Sequence, residues 1–154
     1  MAATTLEILA YNTPDVFKNT FNLANGYRLI SVARDESNKY MVVLRFKVGD
    51  YDTKVAFVTT EHENVSFEKT PAKVYCSCKA YFFYCMPGNR KVKADISPPA
   101  LRDYKKKTDR PMFNPENLPC MCKHLYALTQ AMLREGALKE SLQEAIKRIY
   151  IPIV

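Results

Sequence analysis

The sequence predicts an α+β fold, in which an antiparallel β meander is preceded by a helix and followed, after a long proline-rich basic insertion, by C-terminal helices. Three observations carry this. Runs rich in valine, tyrosine and phenylalanine succeed one another from Tyr27 with turn-forming residues between them. Two stretches near the C-terminus space their apolar residues as helices do, and two short cysteine pairs stand on either side of the insertion. At 154 residues, 47% hydrophobic and 25% charged, the chain suits one globular domain able to bury a core of its own. Within it we read 1–70 as helix and meander, 71–134 as the cysteine-bearing region containing the insertion 86–119, and 135–154 as a last helix and an apolar tail.

The first helix is expected from Thr13 onward. Thr13 can cap, Pro14 suits the first helical position, Asp15 complements the helix dipole and Asn25-Gly26 offers a stop. Val16, Phe17, Phe21 and Ala24 give it an apolar stripe for core packing. Leu6 to Tyr11, just before it, reads as a strand or an extended arm. The meander is expected over 27–33, 40–48 and 51–60, joined by the polar stretch at Asp35 to Lys39 and by Gly49-Asp50. A further strand is expected over 65–69, and 74–84 continues extended, bringing in the first cysteine pair on a strand or its turn. His62, in the acidic stretch before residue 65, reads as a solvated turn residue.

Most of the prolines fall within the insertion, which argues against long regular structure there. It also concentrates the net charge of +7: between Arg90 and Arg110, the cations Arg90, Lys91, Lys93, Arg102, Lys105, Lys106, Lys107 and Arg110 are opposed only by Asp95, Asp103 and Asp109. Such a cluster fits a solvated face, a contact with a partner or a polyanion. Beyond it, 123–134 reads as a helix with Leu125, Leu128, Met132 and Leu133 inward, and 138–149 as a second after Glu135-Gly136. No segment is long and apolar enough to span a bilayer, so no membrane partner is expected.

The chemistry lies in Cys76-Ser77-Cys78 and in Cys120-Met121-Cys122, the latter followed by Lys123-His124. Thiolate and imidazole are preferred zinc ligands, and four close a tetrahedral site. The five cysteines are odd in number, and the N-terminus lacks the pattern of a secretory signal, so a reducing compartment and free thiols are expected rather than disulfides. Cys85, alone after an aromatic run, reads as a core residue. On a strand, Cys76 and Cys78 share a face with Ser77 turned away. Cys122 and His124 act together only if Cys122 precedes the helix and His124 occupies its first turn, where the dipole also favours thiolate. Cys76, Cys78, Cys120 and Cys122 form an alternative, all-cysteine set.

Cys-Ser-Cys followed far downstream by Cys-Lys-His and an aliphatic helix resembles the SWIM-type zinc finger, whose pattern is Cys-x-Cys then Cys-x-His. By position the resemblance makes Cys76, Cys78, Cys122 and His124 the zinc ligands. It covers about 74–132, with a spacer longer than that family's usual loop. The flanking residues, Val74-Tyr75 and Lys79-Ala80-Tyr81-Phe82-Phe83-Tyr84 around the first pair and Asn114 to Pro119 before the second, are similar to small virion proteins of tailed bacteriophages that carry a SWIM-like finger. That similarity implies a structural part of a tail, baseplate or neck, located in the virion, with other virion proteins as partners in a symmetric assembly. A nucleic-acid-binding module is the alternative. An enzyme is not expected: no third group orients a cysteine–histidine pair, and four protein ligands leave a zinc ion no open position. The apolar C-terminus, Ile149 to Val154, suits docking on a neighbour or on the chain's own core.

Overall fold

The computed structural model describes residues 4–18, 26–58, 65–98, 101–102 and 118–150. At its centre is a four-stranded antiparallel sheet in the order β1-β2-β3-β4, formed by Tyr27–Arg34, Met41–Val48, Tyr51–Val58 and Ala72–Cys76. The expected meander is therefore present, and β4 extends it past residue 70 into the region that carries the first cysteine pair. Asp35 shapes the β1–β2 turn, its carboxylate accepting from the Ser37 N–H, the Ser37 hydroxyl and the Asn38 N–H. Val48 pairs with Tyr51 across a two-residue turn in which Gly49 has φ +59°, a conformation that glycine adopts without steric cost.

One face of the sheet is the main core. Val42, Leu44, Phe46 and Val48 of β2 and Val55 and Phe57 of β3 pack there, alternate residues pointing the same way. Helices α4 (Lys123–Arg134) and α5 (Gly136–Tyr150) close this core with Leu125, Leu128, Met132, Leu142 and Ile146. Both helices appear where the sequence places them, with α5 starting two residues earlier than expected. Glu135 separates them as the C-cap of α4.

Four expectations are corrected. Leu6–Asn12 is a helix, α1, rather than a strand or arm: Thr5 caps it through its side chain at Ile8 N, and Leu6 and Leu9 are buried one turn apart while Ile8 is outward. Thr13 consequently closes α1, donating to Leu9 O, instead of opening the next helix. Helix α2 spans Asp15–Lys18, and Pro14 lies outside it, its carbonyl accepting from Phe17 N–H; Phe21, Ala24 and Asn25 lie outside the described residues. Second, 65–69 is a turn. Val65 and Phe67 are buried in alternation as a strand's would be, but Ser66 and Thr70 bond each other's backbone and fold the chain back.

Third, 74–84 does not stay extended. After Cys76 the chain bends and becomes helical at Lys79, passing through a π-helical turn at Tyr81–Cys85 into α3, Met86–Lys91. Pro87 explains the widened turn. It has no N–H to offer and its ring crowds the preceding turn, so the helix adopts a longer bond, Met86 N–H to Tyr81 O, just before it.

Fourth, the insertion 86–119 is not set apart from the core at its start. Met86, Asn89 and Ala94 are fully buried, and Ala94 and Ile96 bond Val74 so that Asp95 lies parallel to the edge of β4. Arg90 does not belong to a solvated basic face, because its guanidinium meets Asp95 at 3.1 Å, Ser97 Oγ at 2.7 Å and Leu101 O at 2.5 Å. Lys105, Lys106, Lys107 and Arg110, like His62 and Ile151 to Val154, lie outside the described residues. Among the described residues no helix is long and apolar enough to cross a membrane.

Candidate metal centre

The structure brings Cys76, Cys78, Cys122 and His124 together as one buried cluster, with all four potential ligand atoms within 4.8 Å of one another. Each arrives from a separate local cause. Cys76 is the last residue of β4, paired with Thr53 of β3, and its alternation with Val74 points it into the core. Cys78 follows after a bend, not on a continuing strand. Ser77 makes that bend by double bonding to β3: its N–H donates to Asp52 O and its Oγ accepts from Asp52 N–H, each at 2.9 Å. The serine thus turns outward as expected, and both flanking thiols turn inward.

The second half is set by the start of α4. Cys122 is the N-cap residue, with extended φ −73° and ψ 173°, and its carbonyl takes the first helical bond from Tyr126 N–H. Its Sγ makes no capping bond and is directed to the cluster. His124 occupies the first turn, 4% exposed, with Nδ1 3.8 Å from Cys76 Sγ and 3.9 Å from Cys122 Sγ. The Tyr51 ring lies against the imidazole with centroids 4.6 Å apart.

Those separations suit one ion. Zinc with ordinary Zn–S and Zn–N bonds places sulfur and nitrogen ligands about 3.6 Å apart at the corners of a tetrahedron. Coordination through Nδ1 leaves the imidazole proton on Nε2. Electrostatics also calls for a cation. Hydrogen bonds from Cys122 and then Cys76 hold the Cys78 thiol far below its ordinary range, while burial first, then Cys76 and Cys78, pushes Cys122 far above it. Three buried thiols so close together cannot all ionise cheaply by themselves, whereas a divalent ion would let all three do so. The donor set, burial and spacing therefore fit a metal ion such as zinc.

Cys120 is directed elsewhere. Its Sγ lies 3.0 Å from that of Cys85, and both thiols are buried away from the four-residue cluster. Cys85 is accordingly a core residue, as the sequence suggests, and Cys120 joins it there. What holds Cys120 was not legible in the sequence. The Asn89 side chain clamps its backbone in both directions, Oδ1 accepting from Cys120 N–H at 2.8 Å and Nδ2 donating to its carbonyl at 3.0 Å. Thr13 Oγ1 accepts from Met121 N–H at 3.0 Å. These two contacts fix the chain just ahead of Cys122; Asn89 follows Pro87-Gly88 and reads as an ordinary turn residue, so no local signal marks it.

A second polar group stands behind the first thiol pair. Tyr81 OH donates to Val74 O at 2.9 Å and meets the Asp95 carboxylate, which also receives Ser97 and Arg90. Burial, followed by the Asp95 charge, pushes the Tyr81 phenol well above its ordinary value. The group joins β4, the π-helical turn and the start of the insertion.

Comparison with protein-family models, curated proteins and solved structures finds no match for this chain, so no family match supports the SWIM-type or phage resemblance.

Proposed function

We propose that this protein is a zinc-stabilised structural and protein-interaction component of a phage virion, placed in its tail, baseplate or neck, and that Cys76, Cys78, Cys122 and His124 hold one zinc ion in a SWIM-type arrangement. The observation that carries the reading is the closed cluster itself. Four buried protein donors complete a tetrahedral zinc shell, leaving no position for water or substrate, and they join the end of the sheet to the start of α4. A metal so placed supports a fold, and supports the reading as a binding part rather than a catalyst. The resemblance of the residues around the two cysteine pairs supports the virion assignment.

In this proposal the protein's partners are other virion proteins in a symmetric assembly. The apolar C-terminus makes the larger contribution, because exposed charge pairs contribute only about 0 to 1 kcal/mol each. Mass spectrometry of purified particles tests the location. Particle assembly with a chain lacking Ile149 to Val154, beside one with Lys105, Lys106 and Lys107 replaced by alanine, tests the contacts. Poor incorporation of the truncated chain is expected. Absence of the protein from particles, or normal incorporation after truncation, would overturn the proposal.

A further inference from the structure

The register of the sheet places like charges side by side on the face turned away from the main core. Arg28 of β1 is the direct partner of Lys47 of β2, and Arg45 of β2 is the direct partner of Lys54 of β3. Like charges in such positions destabilise a sheet, since cross-strand neighbours lie about 5 Å apart. Lys73 of β4, opposite Ala56, adds a fifth cation to the same face, and Tyr75, opposite Lys54, lies with its ring 5.5 Å from Lys54 Nζ.

Compensation among the described residues is partial. Asp52 pairs with Lys47 at 3.2 Å, and Asp35, whose carboxylate is occupied by Ser37 and Asn38, feels Arg45 from the β1–β2 turn. Five cations against two carboxylates leave three positive charges in excess. Burial first, and then the neighbouring Arg45, hold the Lys54 ammonium below its ordinary value, while Asp52 and Asp35 oppose this only in part.

We propose that this outer face of the sheet binds the phosphate backbone of nucleic acid through Arg28, Arg45, Lys47, Lys54 and Lys73. Duplex DNA carries a charge for about every 1.7 Å of its axis, so a planar array of cations meets several phosphates at once. An acidic protein surface is the weaker fit. Protein interfaces have an apolar centre poor in charge, and here the apolar members of the face, Met41, Val43 and Ala56, are already buried in a small cluster with Ile96. The inference rests on the register of the strands and is independent of the metal, of the basic segment around Lys105 and of a place in the virion.

The test is fluorescence anisotropy of a labelled mixed-sequence DNA, single-stranded and duplex, with the zinc-loaded full chain across a salt series. Binding that weakens steeply with salt is expected. Arg28→Gln with Arg45→Gln should reduce affinity roughly tenfold and lower the salt slope by about two. Both side chains are exposed, so zinc content should remain that of the parent, and relief of two like-charge pairs means that the thermal midpoint should not fall. Lys73→Gln, at the other end of the face, should show a smaller loss. Absence of DNA binding at low salt would overturn the proposal, as would binding that survives the arginine changes and disappears when Lys105, Lys106 and Lys107 become alanine. Equal binding to polyglutamate would assign the face to an acidic protein instead.

Discussion

Cys76 Sγ and His124 Nδ1, 48 residues apart in the chain, lie 3.8 Å apart in the core. One belongs to the end of a strand and the other to the first turn of a helix, so an ion bound between them acts as a strut across the long insertion. The entropy of closing so long a loop opposes that contact, and a bound metal would offset it.

The ligand set makes the first prediction. His124→Ala should lose zinc or bind it much more weakly, whereas Cys120→Ala should retain one zinc per chain, because Cys120 faces Cys85. Metal analysis of the purified variants decides this. Retention by His124→Ala together with loss by Cys120→Ala would move the site to the all-cysteine set.

Removing the ion should loosen the molecule unevenly. Hydrogen exchange with and without a chelator should show lost protection at Cys76 to Cys85 and in α4, while β1 to β3 stay protected by their own pairing and by the Phe46 and Phe57 core. Equal loss across 27–58 would show that the metal supports the whole fold.

The Asn89 clamp should matter more than an ordinary turn residue would. Asn89→Ala leaves the buried N–H and carbonyl of Cys120 without their partner, a loss of roughly 2 to 4 kcal/mol if each group costs about 1 to 2. Denaturant unfolding of the zinc-loaded protein measures it; a change below about 0.5 kcal/mol, the scatter of ordinary surface substitutions, would show that the clamp is dispensable.

Asp35 gives a pH dependence of defined sign. The Ser37 hydroxyl first lowers its carboxyl below the ordinary value; burial opposes this, and the Ser37 and Asn38 N–H groups and Arg45 assist the hydroxyl. A carboxyl whose folded value is depressed contributes stability that is fully present above its unfolded value and is lost as pH falls through the folded one. The β1–β2 turn should therefore hold at neutral pH and weaken only in acid below the usual aspartate range. A side-chain NMR titration of Asp35 checks the direction, and a midpoint at or above the unfolded value would refute it. Ser37→Ala should move the midpoint upward.

Local pattern was enough wherever a residue's role depends on its neighbours in the chain. β-prone runs with polar turns determined β1 to β3, because a strand's alternation and a turn's side-chain bonds are both short-range. Apolar spacing determined α4 and α5 for the same reason. The cysteine spacing narrowed the ligands to two sets, and the position of Cys122 just before α4 followed from the start of helical periodicity.

Leu6 to Tyr11 and 65–69 each contain apolar residues compatible with a strand; the local signals that decide them, the Thr5 cap and the Ser66 and Thr70 side-chain bonds, were present in the sequence but outweighed by that apolar pattern. Tertiary structure decided what remained. Cys120 and His124 are equally able to bind zinc as residue types, yet the Asn89 clamp and the proximity of Cys85 draw Cys120 away, while the first turn of α4 carries His124 inward. Arg90, one of many basic residues in the sequence, becomes the half-buried partner of the Asp95 carboxylate once the start of the insertion folds against β4. The sequence determined which groups had the chemistry; the packing of distant segments determined which of them meet, because that choice depends on contacts that no local pattern records.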